Sequence, residues 1–216
     1  MTVILIDVAI VAVLLTADLL SKHFVESFLL SRGGVYEVIE GVLTFNYSKN
    51  TGAAFGIFSN SRLFLSIFVG VVILGLICFL VYHIVKKKYR EKGGIFLHVA
   101  LSFIIAGGIG NLVDRIAFGY VRDFIEYSFI YTLFKKNFAV CNLADVFLTI
   151  GVILVVVYLI ILMVDESKKQ KSASAEQSAK GGAPEEALPP ESEEVVEGET
   201  DTTKPTGSDE ESDHDE

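Results

Sequence analysis

The amino-acid sequence predicts an all-α membrane protein, a bundle of four transmembrane helices. The 216-residue chain has a mean hydropathy of +0.51, although a long polar C-terminal segment lowers that value. Four apolar runs, at about residues 3–20, 63–85, 95–113 and 143–164, are each long enough to cross a bilayer with their flanks. Clusters of Lys and Arg follow the second and fourth runs, as the positive-inside rule expects for cytoplasmic helix ends.

The first apolar run, residues 3–20, is interrupted by Asp7 and Asp18. No Lys or Arg precedes it and no small-residue cleavage site follows it, so it differs from a cleaved signal peptide. We therefore expect a retained transmembrane helix with Asp18 near its far end.

Residues 21–61 are polar enough to lie outside the lipid. Residues 35–39 and 42–47 have the composition of strands, and glycines mark the turns around them. We predict a small extracytoplasmic β-element after helix 1, resting on the membrane surface, where its aromatic residues suit the interface.

The second run is followed by five positive charges within residues 86–92. A basic segment can bind nucleic acid, but this one lies in a short loop between two spans, where it indicates a cytoplasmic position. The third run contains His98, which we interpret as a hydrogen-bonded helix-packing residue. Gly107, Gly108 and Gly110 near its end indicate close helix contacts. They do not form a dinucleotide-binding loop, because no strand precedes them and Val113 replaces the last glycine of that motif.

Residues 116–140 separate the third and fourth runs. Residues that recur at helical spacing predict a short amphipathic surface helix between helices 3 and 4. They are Val121, Phe124, Ile125, Ser128 and Phe129. With basic clusters after spans two and four, both termini are expected in the cytoplasm. Segments 21–61 and 116–140 are then both external.

The chain divides into a transmembrane domain, residues 1–166, and an acidic tail, residues 167–216. Residues 165–216 hold 17 Asp and Glu against 5 Lys, and all four prolines lie within 172–216. Such a segment cannot bury a core, so we expect a disordered cytoplasmic tail. The remainder carries a net charge of +3 without a basic stripe, which argues against nucleic acid. Cys78 and Cys141 form neither a disulfide framework nor a metal set.

Three acids, Asp18, Asp114 and Asp145, lie at the external ends of their predicted helices. Asn142 is suited to cap the fourth helix, and the helix dipole favours Asp145 in its first turn. The dipole disfavours Asp114 at the C-terminus of the third helix. Two carboxylates in unequal environments can hydrolyse an amide with one ionised and one protonated. From the residues alone, a catalytic pair and a proton-relay or structural pair remain open.

Five polar segments occur in order over about residues 3–164, in register with the four spans. The segments are Asp18-Leu-Leu-Ser-Lys22, Asn50-Thr-Gly52-Ala53-Ala54-Phe55, Gly107-Gly-Ile-Gly110-Asn111-Leu-Val-Asp114-Arg115, Gly119-Tyr-Val121-Arg-Asp123-Phe124 and Asn142-Leu-Ala144-Asp145. Together they resemble the motifs of the bacterial lipoprotein signal peptidases, signal peptidase II.

The resemblance implies an aspartic endopeptidase of the bacterial inner membrane, with its active site at the external face. It would remove the signal peptide of lipid-modified prolipoproteins just before the diacylglyceryl-cysteine. Asp114 and Asp145 are the implied catalytic pair. The implied supporting residues are Asp18, Lys22, Asn50, Gly52, Asn111, Arg115, Asp123 and Asn142. No metal or other cofactor is implied, and the expected partners are prolipoprotein substrates, membrane lipid and globomycin-type inhibitors, with the chain a monomer.

Three residues depart from the family pattern near the last acid: Ala139, Cys141 and Val146. They leave both implied catalytic acids in place, and we expect the loop that leads to Asp145 to be more flexible. Two rival interpretations are a proton- or ion-coupled transporter component and a structural scaffold with a buried polar network. Against the transporter, the acids cluster at one face, and four spans are few.

Overall fold

A computed structural model describes residues 2–52, 62–135 and 139–180. Residues 1–173 form one compact unit and residues 174–216 a second. The helices are α1 Thr2–Leu30, α2 Arg62–Val85, α3 Gly94–Phe118, α4 Ser128–Phe134 and α5 Leu143–Lys180. The strands are β1 Val35–Ile39, β2 Leu43–Asn50 and β3 Val121–Glu126, and a 3-10 turn, Lys88–Arg90, precedes α3.

Within the described residues, four helices are long and apolar enough to cross a membrane: α1, α2, α3 and α5. This confirms the four predicted spans, although the helices extend beyond the apolar runs. The last helix continues to Lys180, so residues 167–180 at the start of the predicted tail are helical. Residues 181–216 lie outside the described residues.

Helix α3 is the centre of the bundle. In the apolar stretch of α3 that is long enough to cross a membrane, 61% of the residues are buried. The corresponding values are 17% in α1, 17% in α2 and 11% in α5. Glycines allow this packing, because a Cβ at Gly110 would collide with the carboxylate of Asp18 on α1, and one at Gly107 would collide with the carbonyl of Ala144 on α5. The other three helices therefore leave most of their apolar surface for lipid.

The three strands form one antiparallel sheet in the order β1-β2-β3. The first two strands confirm the predicted β-element after helix 1. The third was not expected, because Val121 to Ile125 were interpreted as part of a helix, whereas they pair with β2 in the register Asn50↔Val121 and Ser48↔Asp123. A short apolar segment has no decisive period of its own, and the free edge of β2 determines its conformation. After β3, residues Ser128–Phe134 form the surface helix α4, which is the helical part of this segment within the described residues.

Gly119 ends α3 and turns the chain into β3. It has a left-handed backbone with φ of 78°, and its N–H donates to the carbonyl of Arg115 at 3.0 Å. The helix therefore continues past the predicted end at residue 113, and Asp114 lies within its last two turns.

A polar cluster of Asp7, His83 and His98 joins α1, α2 and α3. His98 Nδ1 lies 2.8 Å from Asp7 Oδ2, and His98 Nε2 lies 3.1 Å from Nδ1 of His83. All three side chains are buried. The hydrogen-bonded packing role predicted for His98 is confirmed.

We expect Gly110→Ala to destabilise the bundle, because the added methyl group displaces the Asp18 carboxylate from its place against α3. Overpacking of this kind costs about 1–3 kcal/mol. Thermal unfolding in detergent measures the effect. Gly75→Ala on α2 is the matched control, since its Cβ would meet nothing within 4 Å. Equal melting temperatures for the two variants would contradict the close α1–α3 contact.

Candidate active site at the sheet end of the bundle

Asn142 and Asp145 begin α5 with a reciprocal pair of hydrogen bonds. The Asp145 N–H donates to Asn142 Oδ1 at 3.1 Å, and the Asn142 N–H donates to Asp145 Oδ2 at 3.0 Å. This capping arrangement confirms the predicted role of Asn142 as the N-cap. It also fixes the Asp145 carboxylate at a helix N-terminus, where the dipole favours its negative charge.

A backbone pairing brings Asp123 to the same point. Cys141 pairs with Ile125 of β3, each N–H donating to the other's carbonyl, at 2.7 Å from Ile125 and 2.9 Å from Cys141. Because residue 141 lies alongside β3, the next side chain reaches back to the strand. Asn142 Nδ2 donates to Asp123 Oδ1 at 2.6 Å. One asparagine therefore contacts both Asp123 and Asp145.

Two further asparagines hold the remaining carboxylate oxygens. Asn50 Nδ2 donates to Asp123 Oδ2 at 3.0 Å, and the Asn50 side-chain oxygen accepts the N–H of Gly52 at 3.1 Å. Asn111 Nδ2 donates to Asp145 Oδ1 at 2.8 Å. Amides are thus the hydrogen-bond donors to both acids. Ala53, Ala54 and Phe55 of the predicted motif lie outside the described residues.

The two acids have different surroundings. Asp123 is only 1% exposed, whereas Asp145 is half-buried. Burial raises the pKa of Asp123 to about 7, and the negative charge of Asp145 adds to the rise, while hydrogen bonds from Asn50 and Asn142 oppose it. Near neutral pH, Asp123 therefore exists in both protonation states.

Lys22 and Asp18 lie beneath this pair and connect α1 to it. The Lys22 ammonium is fully buried, 2.8 Å from Asp18 Oδ2, and donates to Asn111 Oδ1 at 3.0 Å. Asp18 Oδ1 accepts the N–H of Ala144 at 2.9 Å. The ion pair thus fixes both Asn111 and the first turn of α5.

Asp114, the implied catalytic partner of Asp145, is in a different environment. Its side chain is fully buried, and Arg122 Nη2 donates to its Oδ1 at 2.7 Å. The backbone N–H of Arg122 donates to Oδ2 at 3.0 Å, and Lys22 Nζ lies 3.5 Å from the same oxygen. Two cations and a backbone amide thus surround Asp114. The structure brings Asp123, rather than Asp114, together with Asp145 on Asn142.

Arg115 lies with Asn111 and Asp145 at the polar end of an apolar groove of about 330 Å³ between α2, α3 and α5. Its guanidinium donates to the carbonyl of Asn111 at 3.3 Å. The apolar walls are Leu65, Phe68, Val69, Val72, Ile73, Leu76, Ile104 and Leu148. The groove can therefore hold an apolar chain whose polar end meets Asp145.

The described residues provide no alternative nucleophile or metal centre at this site. Burial raises the pKa of Cys141 to about 11, with the charges of Asp145 and Asp123 adding to the rise. Cys141 is therefore a thiol at neutral pH and a poor nucleophile. Among the described residues, no group of three or more His, Cys, Asp or Glu side chains is placed to hold a metal ion.

Sequence reasoning missed three residues beside the site: Arg122, Glu26 and Tyr47. Arg122 Nη1 donates to Glu26 Oε2 at 3.1 Å, and the Tyr47 hydroxyl donates to Glu26 Oε1 at 2.5 Å. Arg122 belongs to the segment that carries Asp123, and the only signal in the sequence was a basic residue next to an acid. Glu26 gave no signal, because it follows the apolar part of α1.

The fold and site define a class of protein: a membrane protein with four membrane-spanning helices and a pair of carboxylates, one of which, Asp145, lines an apolar groove. Residues 10–161 match the family model described as signal peptidase (SPase) II. The chain therefore belongs to the signal peptidase II family, a family of membrane proteases, as its motifs predicted.

Individual proteins agree with this assignment. The chain is 39% identical over 150 residues to a lipoprotein signal peptidase of Streptococcus thermophilus (strain CNRZ 1066), covering 69% of this chain and 88% of that protein. It is 37% identical over 126 residues to one from Clostridium tetani (strain Massachusetts / E88), covering 58% of this chain and 74% of that protein. A bacterial membrane enzyme solved in meso at 2.3 Å superposes with a TM-score of 0.57 at 32% identity, covering 76% of this chain and 90% of that one.

We expect neutralisation of Asp123 and of Asp114 to change stability in opposite directions at pH 8. The pKa of Asp123 in the folded chain, about 7, lies above the ordinary 3.8, so the folded state binds more protons between these values. Stability from this group is complete below about pH 4 and is lost as pH rises through about 7. Asp123→Asn removes that loss, and its melting temperature gains on the parent between pH 5 and pH 8.

Asp114→Asn, by contrast, leaves Arg122 and Lys22 without their shared carboxylate and destabilises the chain by about 3–5 kcal/mol. Thermal unfolding of both variants in detergent at the two pH values tests the pair. The opposite pattern, with Asp123→Asn the less stable variant at pH 8, would show that Asp123 is the ion-paired acid.

Proposed function

We propose that this protein removes the signal peptide from lipid-modified bacterial prolipoproteins, cutting just before the diacylglyceryl-cysteine, with Asp123 and Asp145 as the catalytic acids. Membership of the signal peptidase II family supports the reaction, and the names of its relatives support the substrate. One observation carries the choice of acids: Asn142 binds both Asp123 and Asp145, and Asp145 lines the polar end of an apolar groove.

The choice of Asp123 over Asp114 follows from what each carboxylate contacts. Asp114 has Arg122 and Lys22 as cationic neighbours, and their contacts occupy its oxygens. Asp123 receives hydrogen bonds from two neutral amides, and its pKa of about 7 allows it to gain or lose a proton at physiological pH. A general acid is most effective when its pKa lies near the working pH.

The reaction then needs one ionised and one protonated acid. Asp145 takes a proton from water as the water oxygen attacks the scissile carbonyl carbon, and protonated Asp123 gives its proton to the carbonyl oxygen. When the C–N bond breaks, Asp145 returns a proton to the leaving amine, and Asp123 recovers its own from the hydroxyl of the intermediate. Asn111 and Asn142 keep Asp145 in place throughout.

The proposed membrane placement brings the substrate to this pair. The basic clusters after α2 and within α5 favour a cytoplasmic position for both termini, which leaves the sheet and the acids at the external face of the inner membrane. The apolar signal peptide would occupy the groove beside α3, with its cleavage site at Asp145. Globomycin-type inhibitors would compete for the same polar end, and one copy of the chain contains the whole site.

Substitution of either acid is expected to abolish cleavage. Asp123→Asn and Asp145→Asn should each reduce turnover of a diacylglyceryl-modified prolipoprotein by about 10³-fold or more, since each removes a proton-transfer group. A size shift on gels measures the reaction. Asp114→Asn is the control, and its activity per folded molecule should exceed that of both. Rapid cleavage by Asp123→Asn would contradict the assignment of the acid pair. No cleavage by the parent protein would contradict the proposed activity.

The pH dependence of the reaction should report the protonation of Asp123. Because the protonated form is the active one, kcat/KM is expected to fall as pH rises above about 7. The macroscopic value belongs to the coupled pair of acids. Purified protein in detergent, assayed between pH 5 and pH 9 with melting temperature followed in parallel, provides the measurement. A constant kcat/KM up to pH 9 would argue against an acid role for Asp123.

A further inference from the structure

We propose that Arg122 is a positioning residue for the acid pair: held by Asp114 and Glu26, it fixes the start of the strand that carries Asp123. This inference rests on the proposed function, because it concerns the geometry of the same site. Arg122 precedes Asp123 in β3, so any displacement of its backbone moves the next residue directly.

Each of the three guanidinium nitrogens of Arg122 donates to a carboxylate. Nη2 and Nε bind Asp114, with Nη2 at 2.7 Å from Oδ1 and Nε at 3.2 Å from Oδ1 and 3.3 Å from Oδ2. Nη1 donates to Glu26 at 3.1 Å, and the backbone N–H donates to Asp114. The guanidinium carbon also lies 4.6 Å from the centre of the Phe118 ring. Side chain and backbone are thus fixed by the same carboxylate.

The second partner, Glu26, extends this clamp to the rest of the sheet. Its other oxygen accepts the hydroxyl of Tyr47 on β2, and both burial and this hydrogen bond raise the pKa of Tyr47 above its ordinary value. Tyr47 therefore remains a donor at any physiological pH. Through Arg122 and Glu26, helices α1 and α3 and strands β2 and β3 meet at one point.

The charges explain why arginine suits this position. Asp114 and Glu26 both carry negative charge, and Lys22, the other nearby cation, already pairs with Asp18 at 2.8 Å. Although burial alone lowers the pKa of Arg122, its hydrogen bonds to Asp114 and Glu26 raise it, so the guanidinium stays charged. A lysine offers a point charge and cannot bind two carboxylates with a planar fork.

Loss of Arg122 should alter both the geometry and the electrostatics at Asp123. The charged or titratable groups around Asp123 are Asp145 on α5, Lys22 on α1, Arg115 on α3 and the thiol of Cys141. Without Arg122, the uncompensated Asp114 adds negative charge to this set. The protonated form of Asp123 then persists to higher pH.

The test compares Arg122→Gln, Arg122→Lys and Glu26→Gln with the parent in the prolipoprotein assay. We expect Arg122→Gln to lower kcat by about 10- to 100-fold, as misplacement of a catalytic group does, with KM changed less than threefold. The pH at which the activity of this variant falls should be higher than in the parent. Arg122→Lys should be intermediate in kcat and keep the parent's pH limb. Pairing Asp114→Asn with Arg122→Gln should recover stability, because it removes both charges.

Arg32→Gln is the control, since Arg32 is exposed and its guanidinium lies 4.1 Å from the Phe28 ring in a comparable ring contact. If Arg122→Gln retains the parent kcat and pH profile, the inference is overturned. If Arg122→Gln does not fold, the kcat values of Glu26→Gln and Arg122→Lys test the inference. A kcat equal to that of the parent in both variants overturns it. Activity of the parent and its loss in Asp145→Asn test the proposed function separately.

Discussion

The side-chain amide of Asn142 is the contact on which the site depends. Its NH₂ group donates to Asp123 and to Asn111, and its oxygen accepts the N–H of Asp145. An amide has two donor hydrogens and an acceptor oxygen, so all of these contacts can be satisfied at once. An aspartate here would face the Asp123 carboxylate, and an alanine would leave buried polar groups without partners. Because the same residue caps α5, it fixes both the start of the fourth span and the placement of the two acids.

The buried charges around this amide fall into two groups. Asp18, Lys22, Asp114, Arg122 and Glu26 form ion pairs between α1, α3 and β3. Breaking such a pair leaves an uncompensated charge and costs several kcal/mol. Asp123 and Asp145 receive their hydrogen bonds from amides instead. The ion pairs therefore supply rigidity, whereas the pKa of Asp123, about 7, allows that acid to change its protonation.

Much of this architecture could be predicted from the sequence, because the bilayer imposes strong rules. An apolar run of membrane length must be helical, and this identified α1, α2, α3 and α5. The N-cap at Asn142 followed from local chemistry. Strand β3 could not be predicted, since its conformation depends on the edge of β2 and on Cys141 at its other side. Neither partner is near it in the sequence, and local periodicity favoured a helix.

The different surroundings of Asp114 and Asp123 depend on contacts that local sequence reasoning does not reveal. The helix-dipole argument correctly made Asp114 unusual, but a dipole contributes about 0.3–1 kcal/mol at an exposed helix end. A guanidinium bound to a fully buried carboxylate at 2.7 Å is a larger effect, since breaking a buried pair costs about 3–5 kcal/mol. Arg122 reaches Asp114 only because Gly119 turns the chain back from α3 into β3. That turn brings Arg122 to the carboxylate oxygens of Asp114 and, on the next residue, presents Asp123 to Asn142. The contacts therefore distinguish the two acids, because cations bind Asp114 at the end of the apolar run, whereas amides bind Asp123 on the strand.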